Sequence, residues 1–191
     1  ATNGLKDEDR FVELVREMLV ELPTDAWTEE ALNLLATYYL TKDEDAQAAE
    51  VFDQMVARFP GGRYAERAYW KAGWAAFRAG NDNRAVQVFE AGAARLPRAD
   101  FRPAWIYWAA RAHDRQGRKA EAAERFQLVI TDYQNSYYGR VAALRLTAAA
   151  QPMIRYSAPA SAPPASSSGY SDRTTSSDAA SGEACARRAA S

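Results

Sequence analysis

The 191-residue sequence holds one cysteine, Cys185, and one histidine, His113. One thiol can form no internal disulfide and no thiolate metal site, and one imidazole excludes a multi-histidine site. Cysteine this scarce suits an oxidising and a reducing compartment equally. A surplus of either charge is missing too: 24 Lys and Arg against 25 Asp and Glu leave a formal net charge of −1. No basic stripe stands out, which argues against tracking a nucleic-acid backbone. No apolar run reaches about 18 residues, so no membrane span is expected. The chain starts Ala1-Thr2-Asn3-Gly4, without a methionine or an apolar leader core. It reads as a mature form or a fragment, and export is neither shown nor excluded.

What is there is a repeat. Ala48, Ala85 and Ala122 are 37 apart, and so are Phe52, Phe89 and Phe126. Ala36, Gly73 and Ala110 follow the same step, as do Asp43, Gly80 and Gly117, and Leu32, Tyr69 and Ile106. A fourth copy survives in Leu22, Phe59, Leu96 and Tyr133, followed by Pro23, Pro60, Pro97 and Gln134. Self-similarity at such a period is the mark of stacked helical hairpins. Val51, Phe52, Met55, Val56 and Phe59 recur three or four apart, which is helical spacing.

Each repeat therefore predicts two helices. A first helix, A, is expected over 27–41, 63–79 and 103–116, and a second, B, over 44–59, 82–95 and 119–133. Prolines 60 and 97 should close the B helices. Gly80 and Gly117 stand where A turns into B and a left-handed residue is wanted. Ala36, Gly73 and Ala110 should face Ala48, Ala85 and Ala122 and let the axes approach. The rings at 52, 89 and 126 should then fill the gap towards the next repeat. Residues 6–21 read as a B helix without its A partner, and 137–149 as an A helix without its B. These open halves imply further repeats on one or both sides.

From Gln151 the composition changes to Ser, Ala, Pro, Gly and Thr, without helical or strand period. Residues 151–191 are expected to be disordered, after a helical-repeat domain over 1–150. The tail reads equally well as a linker or as an out-of-frame end.

The small-residue, Gly, Ala, Phe and Pro spacing resembles the tetratricopeptide repeat, lengthened by three residues, over roughly 24–134. The expected fold is thus all-α: a right-handed solenoid of hairpins with about eight helices. A second resemblance rests on longer stretches. They are Phe59-Pro60-Gly61-Gly62-Arg63-Tyr64-Ala65, then Ile106-Tyr107-Trp108-Ala109-Ala110-Arg111-Ala112, and Asn135-Ser136-Tyr137-Tyr138-Gly139-Arg140. Over about 5–146 the chain is similar to the superhelical region of soluble lytic murein transglycosylases. That resemblance implies a periplasmic parent that cleaves peptidoglycan without water, leaving a 1,6-anhydro end. Such chemistry needs one glutamic acid of raised pKa. The family's catalytic Glu-Ser pair and Gly-Leu-Met-Gln stretch are absent here. No catalytic, cofactor-binding or metal-binding residue is assigned, and no cofactor is expected.

The remaining candidates read as structural. His113 aligns with Tyr39 and Ala76 and suits packing or capping. Asp43-Glu44-Asp45 lacks the alternating ligands and glycine of a calcium loop and suits a helix N-terminus. Gly61-Gly62 has neither the lysine nor the strand of a phosphate loop. A binding face is expected on the A helices, which line the groove in tetratricopeptide arrays. By register it takes Asn33, Thr37 and Leu40; Trp70, Trp74, Phe77 and Arg78; and Tyr107, Arg111, Asp114 and Arg115. Aromatics beside arginines suit a sugar ring or an acidic peptide stem. The competing reading is that Trp70, Trp74, Tyr107 and Trp108 pack between repeats. Expected partners are peptidoglycan, envelope proteins or both. A stand-alone periplasmic scaffold for envelope assembly is the alternative to the transglycosylase region.

Overall fold

The structure is a computed structural model that describes residues 8–150, with side chains over 10–147. The tail expected over 151–191, Cys185 included, lies outside the described residues. Eight helices follow in order: α1 Glu8–Glu21, α2 Ala26–Thr41, α3 Asp45–Arg58, α4 Ala65–Arg78, α5 Asp82–Arg95, α6 Arg102–Arg115, α7 Lys119–Tyr133 and α8 Tyr137–Ala150. The described residues contain no strand. The B helices α1, α3, α5 and α7 begin at Glu8, Asp45, Asp82 and Lys119, each 37 after the last. The A helices α2, α4, α6 and α8 lie between and after them. Each helix packs on its neighbours in the chain.

Local chemistry sets the ends. The Asp25 carboxylate accepts the Trp27 N–H at 2.8 Å and caps α2, and the Asn81 side chain accepts the Arg84 N–H at 3.2 Å and caps α5. Pro103 sits in the first turn of α6, where its missing N–H has no helical partner to lose. Gly80 and Gly117 take φ of +77° and +75° at the A-to-B turns. Asp43 occupies the same place in the first repeat with φ +59°. An L-residue there carries strain that glycine avoids. Pro60 and Pro97 stand two residues past the ends of α3 and α5.

The core is a line of small and large residues. Ala36 and Ala110 are fully buried, as are Ala48, Ala85 and Ala122 to within 3%. The rings at 89 and 126 each meet the A helix of their own repeat. Phe89 lies over Gly73 of its own hairpin, where an added Cβ would come within 2.5 Å of the ring. Phe126 likewise meets Tyr107 of its own repeat at 5.6 Å between centroids. The Phe89 ring thus lies on the bare backbone of its A helix. Phe52 faces the next repeat, with the Arg67 guanidinium 5.5 Å from its centroid.

Two contacts recur between repeats. The Glu29 carboxylate accepts the Tyr64 N–H at 2.7 Å, and 37 residues on Glu66 accepts the Phe101 N–H at 3.0 Å. Arg78 pairs with Asp45 at 3.4 Å, and Arg115 with Asp82 at 3.2 Å. The junction between α7 and α8 differs. It shrinks to 134–136, against 59–64 and 96–101 for the two before it. Ser136 Oγ accepts the Gly139 N–H at 3.0 Å, and a Cβ at 139 would overlap the Tyr133 carbonyl oxygen. Ser-Tyr-Tyr-Gly is thus a cap followed by the one residue that lets α8 turn so tightly against the end of α7.

Candidate functional site

The A-helix row is built mainly from α4 and α6. Trp70 and Trp74 stack one turn apart with centroids at 5.8 Å and planes 11° from parallel. Trp74 stacks on Phe77 at 5.9 Å and receives the edge of Trp108 from the next A helix at 4.8 Å. Phe101, ahead of α6, lies 5.7 Å from Trp70. Trp70, Trp74 and Trp108 are half-buried, while Phe77 is 8% exposed. Such edge and stacked pairs each contribute about 0.5–1.5 kcal/mol beyond burial. The row therefore joins two repeats and still leaves part of each indole at the surface.

The arginines divide. Arg111 lies 5.4 Å from the Trp108 centroid and makes no ion pair among the described residues. Arg115 is occupied: it covers the Phe77 ring at 4.4 Å, donates to the Phe77 carbonyl at 3.1 Å and pairs with Asp82. Arg78 holds Asp45 on an exposed surface. Asp114 is engaged by Lys119.

In the first repeat, Asn33 is 8% exposed, and both Asn33 and Thr37 receive the guanidinium of Arg67. Tyr107 is 4% exposed and its hydroxyl accepts from Arg145 at 3.0 Å. Leu40 is half-buried. The structure thus gathers Trp70, Trp74 and Arg111 with Trp108. It sets Asn33, Thr37 and Tyr107 in packed contacts with the following repeat.

A second polar cluster lies between α5, α6 and α7. His113 is 5% exposed and its Nε2 lies 3.2 Å from Glu90 Oε1. Arg125 Nε donates to the same oxygen at 2.8 Å. Burial alone would raise the Glu90 carboxyl, but the hydrogen bonds and charges of His113 and Arg125 outweigh it and hold it below its usual range. Arg102 donates to the Tyr133 hydroxyl at 2.8 Å, which keeps its guanidinium above its usual value against desolvation. Glu90, Arg102 and Arg125 line a cavity of about 290 Å³ floored by Ala93, Ile106 and Leu128. All three are already engaged, so this is a packed joint, and His113 has the packing place expected of it. Among the described residues, no three His, Cys, Asp or Glu gather to hold a metal ion. Nor is any described helix long and apolar enough to cross a membrane.

Residues 67–91 and 106–136 match the family model of the tetratricopeptide repeat. The fold is a tetratricopeptide-type solenoid. Solved structures agree with it. The Yersinia enterocolitica type III secretion translocator chaperone SycD is similar at TM-score 0.52 and 19% identity, over 69% of this chain and 96% of that one. A Podosopora anserina protein of nearly identical TPR-like repeats is similar at TM-score 0.54 and 19% identity, over 73% of each chain. MamA is similar at TM-score 0.50 and 17% identity, over 77% of this chain and 86% of that one. No curated protein matches the chain in sequence. Identities this low establish the fold alone.

Within the tetratricopeptide array, the residues that sequence reading passed over are the inter-repeat anchors. The sequence alone assigns Glu29, Glu66 and Arg67 no role, and both acids stand in a helical first turn. Their signal was available in the 37-residue step that links Glu29 to Glu66, and Tyr64 to Phe101.

Proposed function

We propose that this chain is a non-catalytic interaction scaffold, and that it serves a peptidoglycan lytic transglycosylase of the periplasm in cell-wall turnover. One observation carries the scaffold reading: half-buried Trp70, Trp74 and Trp108 stand beside Arg111, which has no ion-pair partner among the described residues. A partly covered indole keeps surface for a ligand ring or aliphatic group, and a neighbouring guanidinium adds recognition of an anion. That chemistry suits an amino-sugar ring or an acidic peptide stem. The transglycosylase reading rests on the Tyr107-Trp108-Ala109-Ala110-Arg111-Ala112 and Ser136-Tyr137-Tyr138-Gly139-Arg140 stretches. It assigns this chain no catalytic residue and no cofactor.

Co-sedimentation with purified murein sacculi tests the proposal. Wild-type chain is expected in the pellet, with Arg111→Ala and Trp74→Ala each lowering the bound fraction several-fold. Equal pelleting of all three, or of none, would remove the groove reading.

The second reading is a stand-alone periplasmic scaffold for envelope-protein assembly. The likeness to a translocator chaperone, over 96% of that chain, favours a protein ligand. A sacculus pellet without this chain, together with Arg111-dependent capture of one envelope protein, would place it first.

A further inference from the structure

We infer that this chain associates head to tail, α8 of one copy docking on the α1–α2 end of a second copy. The contacts between successive A helices supply the template. At two successive A helices, the aromatic just before or at the start of the helix reaches back to one position of the A helix before it. Phe101 lies 5.7 Å from Trp70, and Tyr138, 37 residues later, lies 5.3 Å from Tyr107. The same steps of 37 place Trp27 at the reaching position and Leu144 at the receiving one. Within the described residues neither has its counterpart. Trp27 is 73% exposed and Leu144 is 69% exposed, whereas Tyr107, the equivalent of Leu144, is 4% exposed.

The B helices tell the same story. Val51 and Val88 are 4% and 1% exposed, yet Leu14, at the matching place in α1, is 42% exposed. Helix α1 is a B helix in register. Helix α8 is an A helix in register. Joining α8 to α1 of the next copy continues the order A, B, A, and brings Trp27 onto Leu144.

Charge complements shape. Helix α1 carries five acids against two arginines, and α8 carries Arg140 and Arg145 with no acid. Opposite net charges at the two ends favour joining an end to its opposite over joining like ends. Phe11 stands where the complete hairpins hold Ala48, Ala85 and Ala122, and it leans on Tyr38 at 6.2 Å. The association is reversible and concentration-dependent. The interface is heterologous, so it builds open chains of copies rather than closed pairs.

Sedimentation velocity of the full 191-residue chain, from low to high micromolar concentration, tests this with two surface variants. Wild-type mean mass should rise with concentration past that of a dimer, and the rise should weaken several-fold in high salt. Trp27→Asp and Leu144→Asp should each stay monomeric with unchanged helical circular dichroism. Mixed one to one, they should form a dimer and stop there, because each keeps the end that the other has lost. Monomers at every concentration for wild type would overturn the inference. So would a dimer whose two variants fail to rescue one another, which is the behaviour of a symmetric interface.

Discussion

Gly73→Ala is expected to change the sign of its effect according to what stands at position 89. In the wild-type fold an added Cβ at 73 would sit 2.5–2.8 Å from three atoms of the Phe89 ring. That ring is fully buried and also touches Trp70 at 6.1 Å, so it has no free direction in which to retreat. Overpacking of this kind costs about 1–3 kcal/mol. Replacing glycine by alanine inside a helix returns about 1 kcal/mol. The wild-type background should therefore lose about 1 kcal/mol net. Phe89→Ala alone should lose about 3–5 kcal/mol through the cavity it leaves. In that background the clash is gone and only the helical gain remains, so Gly73→Ala should stabilise by about 1 kcal/mol. The double-mutant cycle should give a coupling of about 1–3 kcal/mol. Urea denaturation followed by circular dichroism measures all four corners. Phe89→Val serves in place of Phe89→Ala if the double cavity prevents folding. Additive effects within about 0.3 kcal/mol would refute the placement of the Phe89 ring over Gly73.

Other outcomes follow from the same geometry. Asp43→Gly should raise the thermal midpoint by relieving a left-handed residue, with a gain of about 0.5–1 kcal/mol, while Gly80→Ala should cost about 1–2 kcal/mol at the equivalent turn; differential scanning calorimetry reads both. Gly139→Ala should push α8 away from the Tyr133 carbonyl and remove amide-exchange protection over 137–147, leaving α4 and α5 protected. The Glu90 carboxylate is depressed in the fold, so its contribution is present above the unfolded carboxyl value and is lost as pH falls through the folded one. Glu90→Gln should therefore flatten the decline of Tm between about pH 5 and pH 3, and an unchanged decline would count against the His113–Glu90–Arg125 joint.

The repeat was legible because its signals are local. Periodicity within one helix, a glycine at each A-to-B turn and a proline past each B helix need only a few neighbouring residues to be read. The observed ends of α2, α5 and α7 fall within a residue of those expected for this reason. Burial along the A-helix row was harder to read, because residues 30–38 positions away decide it. Arg67 occupies Asn33 and Thr37, Arg145 takes the Tyr107 hydroxyl, and Phe77 with Asp82 holds Arg115. Register alone places these positions on one side of a helix but does not say which partner arrives from the next hairpin. The glycine beneath Phe89 was legible as a small residue, whereas the inward fall of the ring depended on the missing Cβ. The acids at 29 and 66 were hidden by their ordinary setting, since a carboxylate in a first turn already has a dipole reason to be there.

The unequal junctions have a mechanical consequence. Segments 59–64 and 96–101 each carry enough backbone to absorb a change of angle, and each is pinned through one carboxylate that accepts a main-chain N–H. The stretch 134–136 has no such slack, and Pro103 occupies the place where a third pinning acid would stand. Bending compliance therefore resides on either side of the α4–α5 hairpin, the one that bears Trp70 and Trp74. A ligand that needs a wider seat would gain it by hinging those two joints, while α7 and α8 move together as one stiff end-piece.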